Sequence, residues 1–312
     1  MYRALLVPLD GSAYAEHALP LALGIASRAG ATLNLVSVQV PFPPVYGEGM
    51  ARLENPLEAD SRQKARSYLG GVVRRIAAVS PVPAAATLLE GPVAESLCRQ
   101  ATTAGVDLVV MTVIGAGPWT RLWLGSVADE LVRRLPMPLL LLRPQEPAPE
   151  LGRVPRVKHI LLPLDGSEAA EQVVEPAAVV GALMQAEFTL LRVLNPVAPV
   201  TDAEGRSPGL QSQTRQEQLQ AEAQAYLDRV AERLRARSLP AQTRVVFHEH
   251  PAVAILDAHA HDIDLIAFTT RGHRALPWLF LGSTADKVLR GASTPVLVQR
   301  PRDPSAPEGA LR

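Results

Sequence analysis

The sequence predicts an α/β fold that is built as a tandem duplication of one parallel-sheet domain. Nearly continuous apolar segments alternate with longer segments of helical periodicity, which is the pattern of buried parallel strands covered by helices. Short motifs recur in the same order about half a chain apart, beginning with Leu6–Ser12 (LVPLDGS) and Leu161–Ser167 (LLPLDGS). A chain of 312 residues is long enough for two such domains, each with its own core.

Composition narrows the class of protein further. Hydrophobic residues make up 47% of the chain and aromatic residues only 4%, which suits α/β layers better than a β-sandwich. Lys and Arg number 31 and balance 31 Asp and Glu, so nothing favours nucleic acid or an anionic membrane as partner. Cys98 is the single cysteine, which excludes a disulfide framework. Without a signal-peptide pattern or an apolar stretch of membrane-spanning length, we expect a cytoplasmic protein.

The first copy is expected to contain five strands and four helices. Its predicted strands are Ala4–Leu9, Thr32–Val38, Ala84–Leu89, Leu108–Thr112 and Pro138–Leu142. Its predicted helices are Ala13–Ala29, Leu57–Val79, Val93–Thr103 and Val127–Leu135.

The second copy repeats this order. Its predicted strands are His159–Leu164, Phe188–Leu194, Thr243–His248, Leu265–Thr269 and Pro295–Gln299, and its long second helix covers about Gln213–Arg237. We place the domains at residues 1–144 and 157–301, the linker at 145–156 and a disordered tail at 302–312.

Each copy also contains a long connection after its second strand and a strongly apolar last strand. Long proline-bearing connections, Pro41–Pro56 and Pro196–Pro208, follow the second strands and are either lids over a site or mobile segments. The last strands, Leu139–Leu142 and Val296–Val298, are so apolar that an exposed edge would invite aggregation. We expect them to be covered, either by each other or by a second chain in a homodimer or larger oligomer.

A glycine loop follows the fourth strand of each copy. The two loops, Gly115–Ser126 (GAGPWTRLWLGS) and Gly272–Ser283 (GHRALPWLFLGS), share the spacing Gly-x9-Gly-Ser before a helix. Glycine allows positive φ and close approach of a ligand, and a helix N-terminus offers N–H groups and a positive dipole end. We interpret Ser126 and Ser283 as N-cap residues. One such loop is more often an ordinary strand-to-helix connection, but two with the same spacing favour an anion-binding site.

An aspartate ends the first strand of each copy, at Asp10 and Asp165. In an open parallel sheet, ligands bind beyond the carboxyl ends of the strands where the strand order reverses, so this turn and the glycine loop should meet. A carboxylate can accept hydrogen bonds from ribose hydroxyls or an adenine amine and is a poor partner for phosphate. These aspartates therefore fit the nucleoside end of a nucleotide, although a turn or capping role in Asp-Gly-Ser explains them equally well.

Taken together, these motifs resemble the universal stress protein family, and specifically its tandem two-domain members. The resemblance covers nearly the whole chain and implies two flavodoxin-like (Rossmann-like) doubly wound domains, each with a five-stranded parallel sheet. It implies a stress-response protein that binds ATP without a Walker motif, with Mg²⁺ only as the counter-ion of the nucleotide.

The family's nucleotide-binding signature, G-x2-G-x9-G-[S/T], can be carried over position by position. On the phosphate side, the resemblance implies Gly115, Gly125 and Ser126 in copy one and Gly272, Gly282 and Ser283 in copy two. On the nucleoside side, it implies Asp10 with Val38, and Asp165 with Val193.

The chain departs from this signature at its first glycine, which is Thr112 in copy one and Thr269 in copy two. A β-branched residue disfavours positive φ and adds bulk near the ribose, whereas its hydroxyl can bond the sugar. The threonines are thus compatible both with nucleotide binding and with its loss. Because copy two carries Arg271, and His273 and Arg274 beside it, we expect copy two to bind the triphosphate better.

Other chemistries are less favoured. A histidine cluster in copy two lacks a carboxylate or cysteine that would complete a metal site; its members are His248, His250, His259 and His261. Ser12 and Ser167 do not lie in a nucleophile elbow, and we assign no catalytic residue. The competing hypotheses are a nucleotide-independent dimerising scaffold and, more weakly, a slow hydrolase.

Overall fold

The computed structural model describes residues 1–41, 45–46, 52–53, 56–113, 124–144, 150–197, 209–259, 262–270 and 281–301. The chain divides into two compact units, Met1–Pro155 and Arg156–Arg312, which we call copy one and copy two. Each unit is built on a parallel sheet with helices between the strands, so the predicted doubly wound α/β fold is confirmed. No helix of the described ranges is long and apolar enough to cross a bilayer.

Copy one contains all the predicted elements and a short additional ribbon. In chain order, its elements are β1 (Ala4–Pro8), α1 (Ala13–Glu16), α2 (Leu19–Ala29), β2 (Thr32–Gln39), β3 (Val45–Tyr46), β4 (Arg52–Leu53), α3 (Pro56–Val79), β5 (Ala84–Glu90), α4 (Val93–Thr103), β6 (Leu108–Thr112), α5 (Ser126–Arg134) and β7 (Leu139–Leu142).

Copy two repeats the order without a ribbon in its described residues. Its elements are β8 (His159–Pro163), α6 (Glu168–Glu171), α7 (Val174–Met184), β9 (Glu187–Leu194), α8 (Gly209–Arg235), β10 (Ala241–Phe247), α9 (Pro251–His259), β11 (Leu265–Thr269), α10 (Ser283–Gly291) and β12 (Val296–Gln299).

The strand order places the reversal point where the sequence predicts it. Copy one has the order β7-β6-β1-β2-β5 and copy two the order β12-β11-β8-β9-β10, all parallel. The chain therefore turns from one side of the sheet to the other beside the first strand, between β1 and β6 and between β8 and β11. Ligand crevices in such sheets open at this point, beyond the carboxyl ends of the strands.

An aspartate ties the two strands of the reversal point together at their amino ends. The Oδ2 atom of Asp107 accepts hydrogen bonds from the backbone amides of Arg3 (2.6 Å) and Ala4 (3.1 Å). Asp264 does the same for Lys158 (2.6 Å) and His159 (3.0 Å). These bonds join the amino end of the first strand of each copy to the amino end of the fourth.

The first long helix of each copy is interrupted, which differs from the prediction of one helix over Ala13–Ala29. The break lies at His17–Ala18, between α1 and α2. Pro20 is the physical reason, because it has no amide hydrogen to bond the carbonyl of Glu16 and its ring crowds that carbonyl. Copy two breaks at the matching place, with Pro176 near the start of α7.

The long connections are only partly described. Within Pro41–Pro56, the strands β3 and β4 form an antiparallel pair, with Val45 opposite Leu53 and Tyr46 opposite Arg52. Most of Pro196–Pro208, the linker residues 145–149 and the tail 302–312 lie outside the described residues. A lid role for the connections and an interface through β7 and β12 therefore stay predictions.

The end of the linker packs on copy one. A Cγ atom of Val154 occupies the space into which a side chain at Gly24 would extend, so that helix α2 carries its smallest residue under the segment 150–155. The equivalent position of copy two, Val179 in α7, carries a side chain of its own.

Candidate functional site

The turn after the first strand is held by its own side chains in both copies. The Oδ1 atom of Asp10 accepts bonds from the Ser12 amide (2.9 Å) and hydroxyl (2.6 Å), and Asp165 holds Ser167 at 3.0 and 2.6 Å. The serine hydroxyls in turn cap α1 and α6. The glycine between them needs positive φ, +85° at Gly11 and +82° at Gly166. The predicted turn role of these aspartates is thus confirmed, and the bonds from the serines fix the position of each carboxylate.

The residue that caps the helix after each glycine loop is a glycine. Gly125 and Gly282 are the N-caps of α5 and α10, whereas Ser126 and Ser283 are the first helical residues, so our assignment of these serines as N-caps is wrong. The reason is that each glycine amide bonds the end of the preceding strand, at Val113 O and Thr270 O (2.8 Å each). The extended residue before the helix is therefore the glycine.

This geometry also corrects the expected role of the second glycine in each loop. The φ angles are −59° at Gly125 and −66° at Gly282, so positive φ does not explain the glycines. A Cβ atom on Gly282 would approach only the Thr270 carbonyl oxygen, at an ordinary 3.5 Å. Within the described residues, neither conformation nor packing requires glycine at 282. Because glycine has no side chain, the N-cap provides no side-chain acceptor for the first backbone amides of α10.

The threonines that replace the first signature glycine lie inside strands. Thr112 and Thr269 are the last residues of β6 and β11, paired with Leu142 and Gln299, and are nearly buried. The extended backbone there suits a β-branched residue, so positive φ is not required of them. Their conformation gives no reason to exclude a ligand.

The residue that follows this threonine differs between the two copies in polarity but hardly in shape. Thr270 follows β11 and is fully buried, and its hydroxyl oxygen has no hydrogen-bond partner among the described residues. Copy one has the nearly isosteric Val113 there, which is also buried. Sequence reasoning missed this pair, although aligning the two copies brings it out directly.

A second duplicated cluster, also missed, lies close enough to the aspartate turn to interact with it electrostatically. It consists of Glu16, Tyr68 and Arg75 in copy one, where the Arg75 guanidinium donates to both Glu16 carboxylate oxygens at 2.8 Å. Copy two repeats it with Glu171, Tyr226 and Arg233. The sequence could have revealed this cluster, because the same three residue types recur at nearly the same distance along the chain in both copies.

The tyrosines of this cluster are strongly affected by their surroundings. Burial, and then the Glu16 carboxylate, raise the pKa of Tyr68 far above its ordinary value, and Asp10 adds to the shift. Burial and Glu171 likewise raise the pKa of Tyr226, with a further contribution from Asp165. Each hydroxyl lies beside its glutamate without reaching hydrogen-bond geometry. Both tyrosines consequently stay neutral, next to the aspartate turn.

The remaining predicted site residues are partly described. Val38 and Val193 lie half-buried near the ends of β2 and β9, next to the turns. Gly115, and Arg271, Gly272, His273 and Arg274 in copy two, lie outside the described residues. Their predicted contacts with phosphate stay predictions.

The histidine pair of copy two is a local hydrogen-bonded turn. The backbone amide of His250 donates to Nδ1 of His248 at 2.9 Å. Across the described residues, no three His, Cys, Asp or Glu side chains lie close enough together to hold a metal ion. His261 and the side chain of His259 fall outside that part of the chain.

Comparison with known proteins identifies the family. The universal stress protein family model matches the chain twice, over residues 1–143 and 156–300. The chain belongs to the universal stress protein family. Both copies match separately, so it is a tandem two-domain member, as the motifs predicted.

Relatives of one and of two domains are found. A universal stress protein of Thermus aquaticus is 33% identical over 146 residues, which is 46% of this chain and 100% of that protein. A universal stress protein of Mycolicibacterium smegmatis is 24% identical over 300 residues, covering 96% of this chain and 97% of that one. The crystal structure of a universal stress protein from Archaeoglobus fulgidus has the same fold, with a TM-score of 0.69, 19% identity and coverage of 95% and 98%.

Proposed function

We propose that this universal stress protein binds an adenine nucleotide, ATP, in the crevice between the first and fourth strands, and binds it better in copy two. In this proposal, the protein is a cytoplasmic, nucleotide-responsive binding protein and not an enzyme. Mg²⁺ enters only as the counter-ion of the nucleotide, and any hydrolysis is slow because no general base is assigned.

Gly282 is the observation that carries the proposal. Its backbone conformation is open to every residue, and a side chain there would clash with nothing in the described residues. The described part of the fold therefore gives no reason for glycine at this position, and a ligand is the reason that we propose. Close approach of a phosphate to the first amides of α10 is easiest beside a residue without a side chain, and helix N-termini attract such anions.

The aspartate turn supplies the other end of the ligand. Asp165 is oriented by two bonds from Ser167, both to one carboxylate oxygen. An oriented carboxylate is ready to accept hydrogen bonds from a ribose or an adenine amine without first losing conformational freedom. Asp10 and Ser12 repeat this geometry in copy one.

Two differences favour copy two over copy one. The buried Thr270 hydroxyl, directly before its glycine loop, has no hydrogen-bond partner within the described part of the chain, whereas copy one has Val113 there. Leaving such a group unsatisfied costs about 1–3 kcal/mol, which a bonded ligand atom would recover. The cations predicted beside this loop by the sequence, Arg271 foremost, act in the same direction.

Titration calorimetry with ATP, ADP and AMP tests the proposal. We expect micromolar-range binding of ATP or ADP, about −8 kcal/mol. Adenosine tests whether the nucleoside end alone is recognised. No heat and no thermal shift at millimolar nucleotide would overturn the proposal and leave the second candidate.

That second candidate is a nucleotide-independent scaffold that acts through dimerisation. The strands β7 and β12 favour it, because both are uniformly apolar at the end of their copies apart from Gln299. Sedimentation analysis with and without nucleotide separates the two functions: a scaffold forms the same homo-oligomer in both conditions.

A further inference from the structure

One arginine distinguishes the aspartate turn of copy two from that of copy one. Arg192 lies on β9, directly before Val193, and its guanidinium lies against the backbone of Gly166. A Cβ atom on Gly166 would collide with Nη1 of Arg192 and lie 3.0 Å from its Cζ atom. The guanidinium thus fills the space beside the turn that presents Asp165.

The guanidinium is itself held in place by an aromatic ring. Its Cζ atom lies 5.6 Å from the ring centroid of Tyr226 on α8, within the range of a cation–π contact. The same ring lies in the electrostatic field of Asp165 and Glu171. Arg192 is therefore packed between the backbone of the turn and the Tyr226 ring.

Copy one has the matching turn and the matching tyrosine, but a serine stands in the position of Arg192. Ser37 is the matching residue of β2 and is buried, and a Cβ atom on Gly11 would meet no atom of the described residues within 4 Å. The turn around Asp10 and the ring of Tyr68 are nevertheless present. The two turns thus differ in what supports them from behind and not in their own hydrogen bonds.

We propose that Arg192 is a positioning residue that fixes the Asp165–Gly166–Ser167 turn, so that copy two presents a preformed carboxylate to the nucleoside end of its ligand. This inference rests on the proposed nucleotide site and names what makes one copy the better binder. A guanidinium packed between the turn and Tyr226 limits the motion of the turn, and a turn already fixed loses less conformational entropy on binding.

The first test needs no ligand. Solvent exchange of backbone amides is measured by NMR in the full chain for the wild type, R192S, R192K and S37R. In R192S the Ser167 amide, which bonds Asp165, should exchange about tenfold faster, while the Ser12 amide of copy one stays unchanged, because faster opening of a hydrogen bond reports loss of local order. R192K keeps the charge but not the planar stack and should fall in between. S37R should slow exchange at Ser12.

Two outcomes of this test would overturn the inference. One is unchanged exchange at Ser167 in R192S. The other is faster exchange at every amide of copy two alike, since that would show a general loss of stability and no positioning of the turn.

The second test measures affinity for adenosine and for ATP by calorimetry. R192S should weaken both ligands by the same factor, about tenfold, because Asp165 contacts the nucleoside that the two ligands share. If wild-type protein binds nucleotide and R192S leaves adenosine affinity unchanged, Arg192 does not position the site, while the proposed function stands. If wild-type protein binds no nucleotide, the proposed function fails, and amide exchange alone decides whether Arg192 fixes the turn.

Discussion

The two copies of the chain share the backbone framework of the candidate site and differ in a few side chains around it. Both have the aspartate turn, the Glu–Tyr–Arg cluster behind it and a glycine cap bonded to the end of the fourth strand. Copy one has Ser37 and Val113 where copy two has Arg192 and Thr270. Each replacement makes copy two more polar near the end of a strand, and the strand order is the same in both copies.

This contrast separates what the fold needs from what a ligand needs. Residues kept in both copies include those that hold the backbone, such as Gly11 and Gly166 with their positive φ. Thr270 and Val113, which differ between the copies, have nearly the same shape, and the strand order is the same in both copies. Exchanging these two residues between the copies therefore tests function with an expected change in stability of only about 1–2 kcal/mol.

The largest expected effect is that of a bulky residue at the glycine cap. Gly282→Trp should fill the approach to the first amides of α10 and lower nucleotide affinity of copy two at least about 100-fold, roughly 2.8 kcal/mol. The matching change Gly125→Trp should cost little total affinity, because copy one contributes less. Calorimetry of both variants measures the difference, and greater sensitivity at Gly125 would reverse our assignment of the copies.

A milder variant controls for folding. Gly282→Ala has an allowed backbone conformation and no clash, so its stability should stay within about 1 kcal/mol of wild type. A large loss of stability in this variant would show that the fold itself requires the glycine.

The next effect is expected at Arg271, which the sequence alone places beside the phosphates. Arg271→Ala should weaken ATP by about 1.5–3 kcal/mol if the charge is shielded from water, and less at an exposed rim. Adenosine should be unaffected, since it has no phosphate, and the loss of ATP affinity should shrink at high salt. Equal weakening of both ligands would remove Arg271 from the phosphate site.

An exchange of isosteric residues tests the buried hydroxyl. Thr270→Val should stabilise unliganded copy two by about 1–2 kcal/mol, because it removes an unsatisfied polar group, and should weaken nucleotide binding. Val113→Thr should destabilise copy one by a similar amount. Thermal unfolding with and without ATP measures both, with roughly 2–4 °C expected per kcal/mol. Destabilisation by Thr270→Val would show that the hydroxyl already has a partner.

The smallest effect concerns a feature that the copies share. Above about pH 10, the ordinary pKa of tyrosine, the unfolded chain releases its tyrosine protons while folded Tyr68 and Tyr226 keep theirs. The folded state then binds more protons, so stability falls as pH rises. The slope per tyrosine should lie well below about 1.4 kcal/mol per pH unit, because half-exposed groups are screened by solvent.

Tyr68→Phe and Tyr226→Phe should each flatten this alkaline slope by the same amount, as measured by urea unfolding between neutral and alkaline pH. Unequal effects would show that the Glu–Tyr–Arg clusters of the two copies are not equivalent.

Much of the fold was predictable because it depends on patterns that act locally. Strands such as Leu108–Thr112 are continuous apolar segments, and their bounds agree with the structure. The interruption at His17 was missed because the periodicity continues across it, and only the effect of Pro20 on the preceding turn breaks the helix.

The candidate site was less predictable because it depends on contacts between distant residues. The aspartate turn is local and was recognised. The choice between Gly282 and Ser283 as N-cap depends on a bond to Thr270 that no single segment reveals. The packing of Arg192 against Gly166 joins β9 to the preceding turn, and a charge inside an apolar strand gave no hint of its partner.

The contact between Val154 and Gly24 bears on how the duplicated gene has evolved. Copy one borrows a side chain from beyond its own last strand to complete helix α2, whereas copy two carries Val179 within its own helix. A fragment released after Pro144 would expose a bare glycine on a packed surface, while one that extends through Pro155 would not. Copy one should therefore be less stable as a fragment that ends at Pro144 than as one that extends through Pro155, so a duplicated chain need not separate into halves at the ends of its sheets.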